Sequence, residues 1–148
     1  RCVGCGRCAS VCPGLGHNYV PQKSAIDTVT GSVQESHNAW AKDEKLRHFS
    51  ASGGVVSVLV QKLLALGEYD GAFCLNTYDY RKQLKSTLLT EKDITEELYR
   101  ETIPKSRYLP VSHENAVAYM QEHKDARLIL VGISCAIRGL LAAVKNWG

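Results

Sequence analysis

The sequence predicts an α/β protein, in which a short cysteine-rich segment precedes a domain with helices packed on a mixed sheet. Two patterns predict this class. Four of the six cysteines lie within the first twelve residues, and the rest of the chain alternates short apolar runs with longer stretches of helical periodicity. Because strands that alternate with helices form layered architectures, we expect the helices to cover the sheet.

Composition limits the class of function. The 148 residues fit one domain or slightly more, and 45% of them are hydrophobic, which is enough for a buried core. The formal net charge of +3 has no clustered basic face behind it, so we expect no nucleic-acid partner. No apolar run reaches the ~18 residues of a membrane span. The chain begins at Arg1, already inside a cysteine motif, and we expect it to be part of a longer protein.

The opening cysteines are the most specific motif. Their spacing is C-x2-C-x2-C-x3-C-P, formed by Cys2, Cys5, Cys8 and Cys12 before Pro13. This is the bacterial ferredoxin run, and thiolates are soft ligands that suit iron–sulfur clusters. Zinc is the alternative, although zinc is usually bound by two separated C-x2-C pairs. Crowded cysteines also differ from a secreted disulfide framework, so we expect a reducing, cytoplasmic compartment.

The number of ligands leaves two arrangements open. In two-cluster ferredoxins the cysteine before the proline binds the other cluster, so Cys12 would serve a second cluster and the first would need a remote ligand. With a single cluster, Cys12 completes the site. Cys135, at a predicted helix start, is the candidate for the remote ligand, and a small buried residue is the alternative. Cys74 lies in an apolar run and is predicted to belong to the core.

The predicted elements alternate along the chain. A short strand is predicted at 33–41. The Val-rich run after residue 54 is about 14 residues long, which favours a helix over a strand, with Ser52 as its N-cap and Gly67 as its stop. The later elements are strands at 70–75 and 84–90, a helix at 93–100, a loop at 105–108, a helix from Ser112 to His123, a strand at 128–131, and a helix at 136–146.

Two turns are candidate anion sites. Residues 50–54 place hydroxyl groups and two glycines at a helix start, and residues 132–135 repeat this arrangement after a strand. Backbone N–H groups and the helix dipole favour a phosphate at such a position, and α/β sheets bind ligands where their strands end. Plain helix capping is the alternative for each turn. His48, beside the first turn, is the one histidine considered as a proton donor, with a surface role as the alternative.

Taken in order, five motifs resemble the coenzyme F-420 hydrogenase/dehydrogenase beta-subunit family. They are the cysteine run, Ser-Ala-Ser-Gly-Gly at 50–54, Tyr-Asp-Gly-Ala at 69–72, Lys-Ser-Arg-Tyr at 105–108 and Val-Gly-Ile-Ser-Cys at 131–135. Members of this family carry FAD and one or more 4Fe-4S clusters, and they move electrons between the clusters and a deazaflavin or another redox partner. The resemblance therefore implies an oxidoreductase subunit.

The resemblance also implies site residues by position. Arg107 stands where the family has lysine, and arginine can pair bidentately with a phosphate. Ser134 stands where the family has proline, so this turn departs from the family pattern. The implied flavin residues are Ser50, Ser52, Gly53, Gly54, Lys105, Ser106, Arg107, Tyr108, Gly132 and Ser134. The predicted cluster ligands are Cys2, Cys5, Cys8, Cys12 and Cys135.

Three segments follow from this comparison: a ferredoxin-type segment at 1–22, the family's N-terminal domain at 23–124, and the start of its C-terminal domain at 125–148. The implied function is electron transfer between FAD and a 4Fe-4S cluster, with one cluster or two in the full-length chain. The expected partner is an electron donor or acceptor protein or a deazaflavin-type coenzyme, within a larger redox complex. The alternative is a non-catalytic, ferredoxin-like relay module that docks such a complex.

Overall fold

The computed structural model describes residues 3–15, 33–75, 84–94 and 110–147. Its strands are β1 (Gly71–Cys74), β2 (Leu84–Lys85), β3 (Thr87–Leu89), β4 (Val111–Ser112) and β5 (Leu128–Leu130). A three-stranded sheet has the order β3-β1-β5, in which β1 pairs antiparallel with β3 and parallel with β5. A separate parallel pair joins β2 to β4. Both orientations occur in one sheet, which confirms the predicted α/β class with a mixed sheet.

Within the described ranges the structure has five α-helices. They are α1 (Arg7–Ser10), α2 (Glu44–Phe49), α3 (Val55–Ala65), α4 (Glu114–Glu122) and α5 (Ser134–Trp147), with short 3-10 turns at Pro13–Leu15, Ser52–Gly54 and Glu91–Asp93. None of the helices in the described ranges has the length and apolar character needed to cross a membrane.

The sheet has helices on both faces, because successive side chains of β1 point in opposite directions. Ala72 and Cys74 pack against α3, where the buried side chains of Val60 and Leu64 complete the cluster. Phe73, between them in sequence, packs on the other side with residues from α4 and α5, namely Ala116 and Leu140. The core therefore consists of a helix, the sheet and a helix pair.

Helix α3 ends where the sequence predicts, and for the predicted reason. Gly67 adopts a left-handed φ of 68° just beyond the helix. Its N–H donates to the Leu64 carbonyl at 3.0 Å, and the next N–H, of Glu68, donates to the Leu63 carbonyl at 3.2 Å. These two bonds form a Schellman motif, which satisfies carbonyl groups that would otherwise lack partners. The stop at Gly67 is confirmed.

A polar clasp connects the end of α3 with the start of β5. The Asp70 carboxylate accepts a hydrogen bond from the backbone N–H of Arg127 at 2.7 Å. The guanidinium of Arg127 donates to the Gly67 carbonyl at 3.0 Å. The clasp aligns the first residues of β1 and β5. Because the two strands are parallel, their carboxyl ends then also lie side by side.

Two local predictions were wrong, and one helix was not predicted. No strand forms at 33–41; this stretch is irregular, and Ala41 makes a backbone bond to Gly53. The predicted strand at 84–90 is two strands, because the chain changes sheets at the buried residue Ser86. Helix α2 was missed: it has six residues, too few for a periodic signal, and Asp43 caps it by accepting from the Leu46 N–H at 2.7 Å.

Other boundaries differ by one or two residues. Helix α4 begins at Glu114 rather than at a cap on Ser112, although the Ser112 hydroxyl accepts from the Glu114 N–H at 3.4 Å. Helix α5 begins at Ser134, two residues before the predicted start. Of the helix predicted at 93–100, the first residue lies in a 3-10 turn and residues 95–100 lie outside the described ranges.

Candidate functional site

The turn before α3 has a backbone that ordinary residues rarely adopt. Ser52, Gly53 and Gly54 have φ angles of 49°, 73° and 81°, so three successive residues are left-handed. Ser52 is therefore not the N-cap of α3 as predicted; Gly54 occupies that position, and no side chain caps the helix. The first N–H groups of α3 are thus not used by a capping side chain, and helix N-termini of this kind attract anions.

Gly54 is also tightly surrounded. A Cβ at this position would lie 3.2 Å from the Ala41 Cβ and 3.3 Å from both the Cβ and the Oγ of Ser50. The lack of a side chain thus lets the backbone of the turn approach its neighbours closely. A turn of this type forms a concave backbone surface of the kind that cradles phosphates.

Ser50 contributes an unusual polar group to this turn. Its Oγ is buried and has no hydrogen-bond partner in the part of the chain that the structure describes. A buried polar atom without a partner is rare in proteins, and it costs about 1–3 kcal/mol relative to a paired one. The orphaned hydroxyl next to a left-handed glycine turn fits a site that is completed by an oxygen-rich ligand.

The second candidate turn lies at the same edge of the sheet. A short connection joins α3 to β1 and the two elements pack against each other, so the chain reverses direction between them, and we infer that the start of α3 lies toward the end of β1. Residues 132–135 directly follow β5, which is parallel to β1. Ligands of α/β sheets bind at the carboxyl ends of parallel strands. The topology therefore brings the two turns, predicted separately from the sequence, to one edge.

The residues of the second turn are exposed. Gly132, Ser134 and Cys135 are all accessible, and Ser134 and Cys135 form the first turn of α5. A Cβ on Gly132 would lie 3.3 Å from the Ile137 Cδ1, a tight contact with the flexible end of that side chain. The backbone at the start of α5 is thus accessible to a ligand.

The cysteine segment has exposed thiols and a curved backbone. Cys5, Cys8 and Cys12 are free and exposed. Gly4 and Gly6 have φ angles of 66° and 74°, a conformation that glycine adopts without strain. Within the described ranges no three His, Cys, Asp or Glu side chains converge closely enough to hold a metal ion. Cys2 lies outside those ranges. The donor chemistry of the segment fits an iron–sulfur cluster.

This segment packs on α5. Val11 is buried in a cluster with Ala142 and Ala143. One turn earlier on the same helix, the Cβ position of Gly139 lies 3.7 Å from the Val11 carbonyl oxygen and 3.9 Å from the Pro13 Cδ. Cys135 lies four residues before Gly139, and residues at this spacing share one helix face. Cys135 therefore lies about 6 Å along the helix axis from Gly139, which packs against Val11 and Pro13 on either side of Cys12.

The remaining predicted residues divide into two groups. Cys74 is fully buried, as predicted, and burial raises the pKa of its thiol from the ordinary value of 9.0 to about 12. His48 is exposed, and its ring contacts the Phe49 ring edge-on, with 5.0 Å between the ring centroids. The role of His48 as a proton donor stays a prediction. The loop residues Lys105, Ser106, Arg107 and Tyr108 lie outside the described ranges.

Sequence reasoning assigned no role to Trp40, which adjoins the first turn. Its Cβ lies 3.3 Å from the Cβ position of Gly53, and its side chain is 64% exposed. Trp40 is ten residues before the motif, in a stretch without periodicity, so only the folded chain brings it to the turn. An isolated aromatic residue in a polar stretch was the only signal available in the sequence.

Comparison with known proteins supports the resemblance. Residues 36–117, more than half of the chain, match the family model for the N-terminal region of the coenzyme F420 hydrogenase/dehydrogenase beta subunit. The matched range includes the turn at 50–54 and the loop at 105–108, and it lies within the domain predicted at 23–124. Among curated proteins, no significantly similar sequence was found.

Proposed function

The chain belongs to the coenzyme F420 hydrogenase/dehydrogenase beta-subunit family, which consists of oxidoreductase subunits, and from this we propose that it transfers electrons between FAD and a 4Fe-4S cluster. FAD couples two-electron and one-electron chemistry, which a cluster alone does not do. The electron partner would be a redox protein or a deazaflavin-type coenzyme, and the chain would act as a subunit of a larger redox complex.

The cysteine segment would hold the cluster. Cys2, Cys5, Cys8 and Cys12 have ferredoxin spacing, and the three described thiols are exposed on a backbone curved by glycines. Cys135 would supply the remote ligand if Cys12 serves a second cluster. The packing of Gly139 against Val11 and Pro13 supports this role, because it holds the start of α5 near the cysteine segment.

The turn at 50–54 would hold the FAD phosphates. The Ser50 hydroxyl would donate to a phosphate oxygen, and the first N–H groups of α3 would add the favourable end of the helix dipole. Lys105 or Arg107 would neutralise phosphate charge, and Gly132 and Ser134 would provide backbone contacts from the second turn.

A single observation carries the proposal: α5 begins at the second turn and packs against the cysteine segment one helical turn later. One rigid helix therefore connects the candidate flavin edge with the candidate cluster segment. Electron transfer between two groups requires that they be held close together, and this arrangement supplies a fixed connection.

Anaerobic purification tests the proposal directly. We expect a brown protein with about four iron and four sulfide per cluster, together with an absorbance band at about 450 nm that persists after the cluster is bleached. A cluster without any bound flavin would favour the relay module. A colourless protein with stoichiometric zinc would contradict the cluster assignment.

Ser50→Ala tests the phosphate site. We expect FAD affinity to fall roughly tenfold or more, because a hydrogen bond to a charged group contributes about 1.5–3 kcal/mol. The free energy of unfolding without FAD should stay the same or rise, since the hydroxyl has no partner to lose among the described residues. Equilibrium dialysis and chemical denaturation measure the two quantities.

Ser86→Ala is the matched control for this variant. The Ser86 hydroxyl is also buried and without a partner in the described ranges, but it lies between β2 and β3 and belongs to neither turn. FAD affinity should not change in Ser86→Ala. Equal losses of affinity in both variants would mean that Ser50 acts through the fold and not through a contact with FAD.

A further inference from the structure

Trp40 is a large aromatic residue held against the glycine turn with most of its surface in water. Its side chain is 64% exposed, whereas the next residue, Ala41, is only 2% exposed. Within the described ranges the Trp40 ring makes no contact with another aromatic ring. Exposure alone is ordinary for a single apolar residue, so its meaning depends on where the ring is held and how firmly.

The backbone around Trp40 is fixed by three contacts. The Ala41 N–H donates to the Gly53 carbonyl at 2.8 Å, and the Ala41 carbonyl accepts from the Arg47 guanidinium at 3.0 Å. The Ala41 side chain packs with buried Leu46 from α2. These contacts fix Ala41, and through it the backbone at Trp40, although this stretch belongs to no helix or strand.

The glycine turn is shaped to admit this approach. A Cβ added to Gly53 would lie 3.3 Å from the Trp40 Cβ, which is a tight contact, and 3.7 Å from the Trp40 Cα. The absence of a side chain on Gly53 therefore leaves room for Trp40. Trp40 thus lies beside the same turn in which the orphaned Ser50 hydroxyl is found. An exposed indole on a fixed backbone beside a candidate phosphate site is a suitable surface for the ring of a nucleotide, because an aromatic side chain has few rotamers to order on binding.

We propose that Trp40 stacks on a heteroaromatic ring of the FAD bound at the 50–54 turn and is a positioning residue for that ligand. The inference rests on the function proposed above and adds to it a specific contact. Both FAD rings are connected to one pyrophosphate, the isoalloxazine through the ribityl chain and the adenine through ribose. The shared chemistry is a planar ring tethered to a phosphate, and the choice of ring is a question for the experiment.

Removal of the ring should weaken FAD binding. Alanine substitution at base-stacking aromatics costs about 1–3 kcal/mol, so we expect Trp40→Ala to raise the FAD dissociation constant roughly 5- to 150-fold. Trp40→Phe keeps a flat ring and should lose far less. Because the side chain is mostly exposed, neither variant removes core packing, and the free energy of unfolding without FAD provides the check.

Fluorescence supplies a readout that a structural role would not change. The chain has two tryptophans, Trp40 and Trp147. In the Trp147→Phe variant Trp40 is the sole tryptophan, and its emission should be quenched as FAD is titrated. FMN and ADP each carry one ring and phosphate, and they identify the stacked ring by affinity: the ligand with that ring should bind more weakly to Trp40→Ala than to the wild-type protein, and the other should not. A Trp40→Phe protein, which retains Trp147, should show weaker quenching by FAD.

The outcomes separate this inference from the proposed function. If the wild-type protein binds FAD and Ser50→Ala weakens that binding while Trp40→Ala changes it less than twofold, the stacking contact is wrong and the phosphate site stands. If the wild-type protein binds no FAD, the proposed function itself is wrong. Loss of FAD affinity in Trp40→Ala, with quenching by FAD in Trp147→Phe, supports the contact.

Discussion

Single residues of this chain have chemistry that depends on burial. Cys74 and Cys135 are both lone cysteines in the sequence, yet the first is fully buried in the sheet and the second is exposed at the start of α5. Burial disfavours the thiolate of Cys74 and raises its pKa to about 12. A thiol that stays neutral in this way is a core residue, which leaves Cys135 as the lone cysteine with access to a metal.

The raised pKa of Cys74 predicts a pH dependence of stability. The unfolded thiol ionises above 9.0 and the folded one only near 12, so the unfolded state binds fewer protons between these values. The contribution is full below pH 9.0 and declines as pH rises. Ionisation of the thiol in the unfolded state should lower the free energy of unfolding by about 1.4 kcal/mol at pH 10 relative to pH 8.

Cys74→Val isolates this effect, because it keeps an apolar side chain of similar size and removes the titrating group. Chemical denaturation of both proteins at pH 8 and pH 10 measures the difference. The wild-type protein should lose more stability than the variant over this interval. Equal losses would indicate that the Cys74 thiol does not remain neutral in the folded protein.

Glycine at position 54 is required both by the backbone conformation and by space. In Gly54→Ala we expect a loss of more than about 2 kcal/mol, because left-handed strain of about 1–2 kcal/mol adds to the approach of Ala41 and Ser50. Gly67→Ala is the control: its φ is also positive, but no described atom lies within 4 Å of its Cβ position. Denaturation should show the smaller loss for Gly67→Ala, and equal losses would exclude crowding at the turn.

Among the secondary-structure elements, α5 connects the two candidate sites. It contributes Leu140 to the core behind the sheet and Ala142 and Ala143 to the contact with the cysteine segment. Small side chains on this face permit the close approach, and Gly139 has none at all. The position of the cysteine segment relative to the sheet therefore depends on the surface of one helix.

Substitutions at Gly139 test this dependence. In Gly139→Ala the new Cβ would lie 3.7 Å from the Val11 carbonyl oxygen, an ordinary contact, and helix stability should rise by about 0.5–1 kcal/mol. In Gly139→Leu the larger side chain should push the cysteine segment off the helix. If Cys135 is a ligand, iron content per chain should fall in Gly139→Leu and not in Gly139→Ala. Full iron content in both would argue against that ligand.

Considered as a whole, the molecule has a core that is largely independent of its cysteine segment. The buried side chains between α3, the sheet and the helix pair come from residues after 57, and Val11 is the one described residue of the segment that joins a buried cluster. Because most of the hydrophobic stabilisation lies in the α/β part, the proposed iron–sulfur cluster should add to stability without being required for folding.

Removal of the cluster should therefore leave a folded protein. We expect far-ultraviolet circular dichroism to show a cooperative thermal transition in both loaded and bleached protein, with a lower midpoint in the bleached one. Leu64 is only 1% exposed in the core, and Leu64→Ala should lower the free energy of unfolding by about 2–5 kcal/mol in either form. Loss of the cooperative transition on bleaching alone would show that the metal site is needed for folding.

Features that depend on local patterns could be predicted from the amino-acid sequence. The ferredoxin spacing predicts the donor set, the helical period and Gly67 define α3, and the apolar runs at Gly71–Cys74 and Leu128–Leu130 are strands as predicted. In each case the signal lies within a few residues of the element, because hydrogen-bonding and capping preferences act over one or two turns of chain.

Contacts between residues distant in sequence could be seen only in the folded chain. The fold divides the strand at Ser86 between two sheets, places Trp40 against the turn at Gly53, and brings Val11 to Gly139. It also reveals that Ser50, implied as a flavin residue by the resemblance, has a buried hydroxyl without a partner in the described ranges. These relations depend on packing between elements far apart in sequence, where local propensity carries no information about which side chains meet.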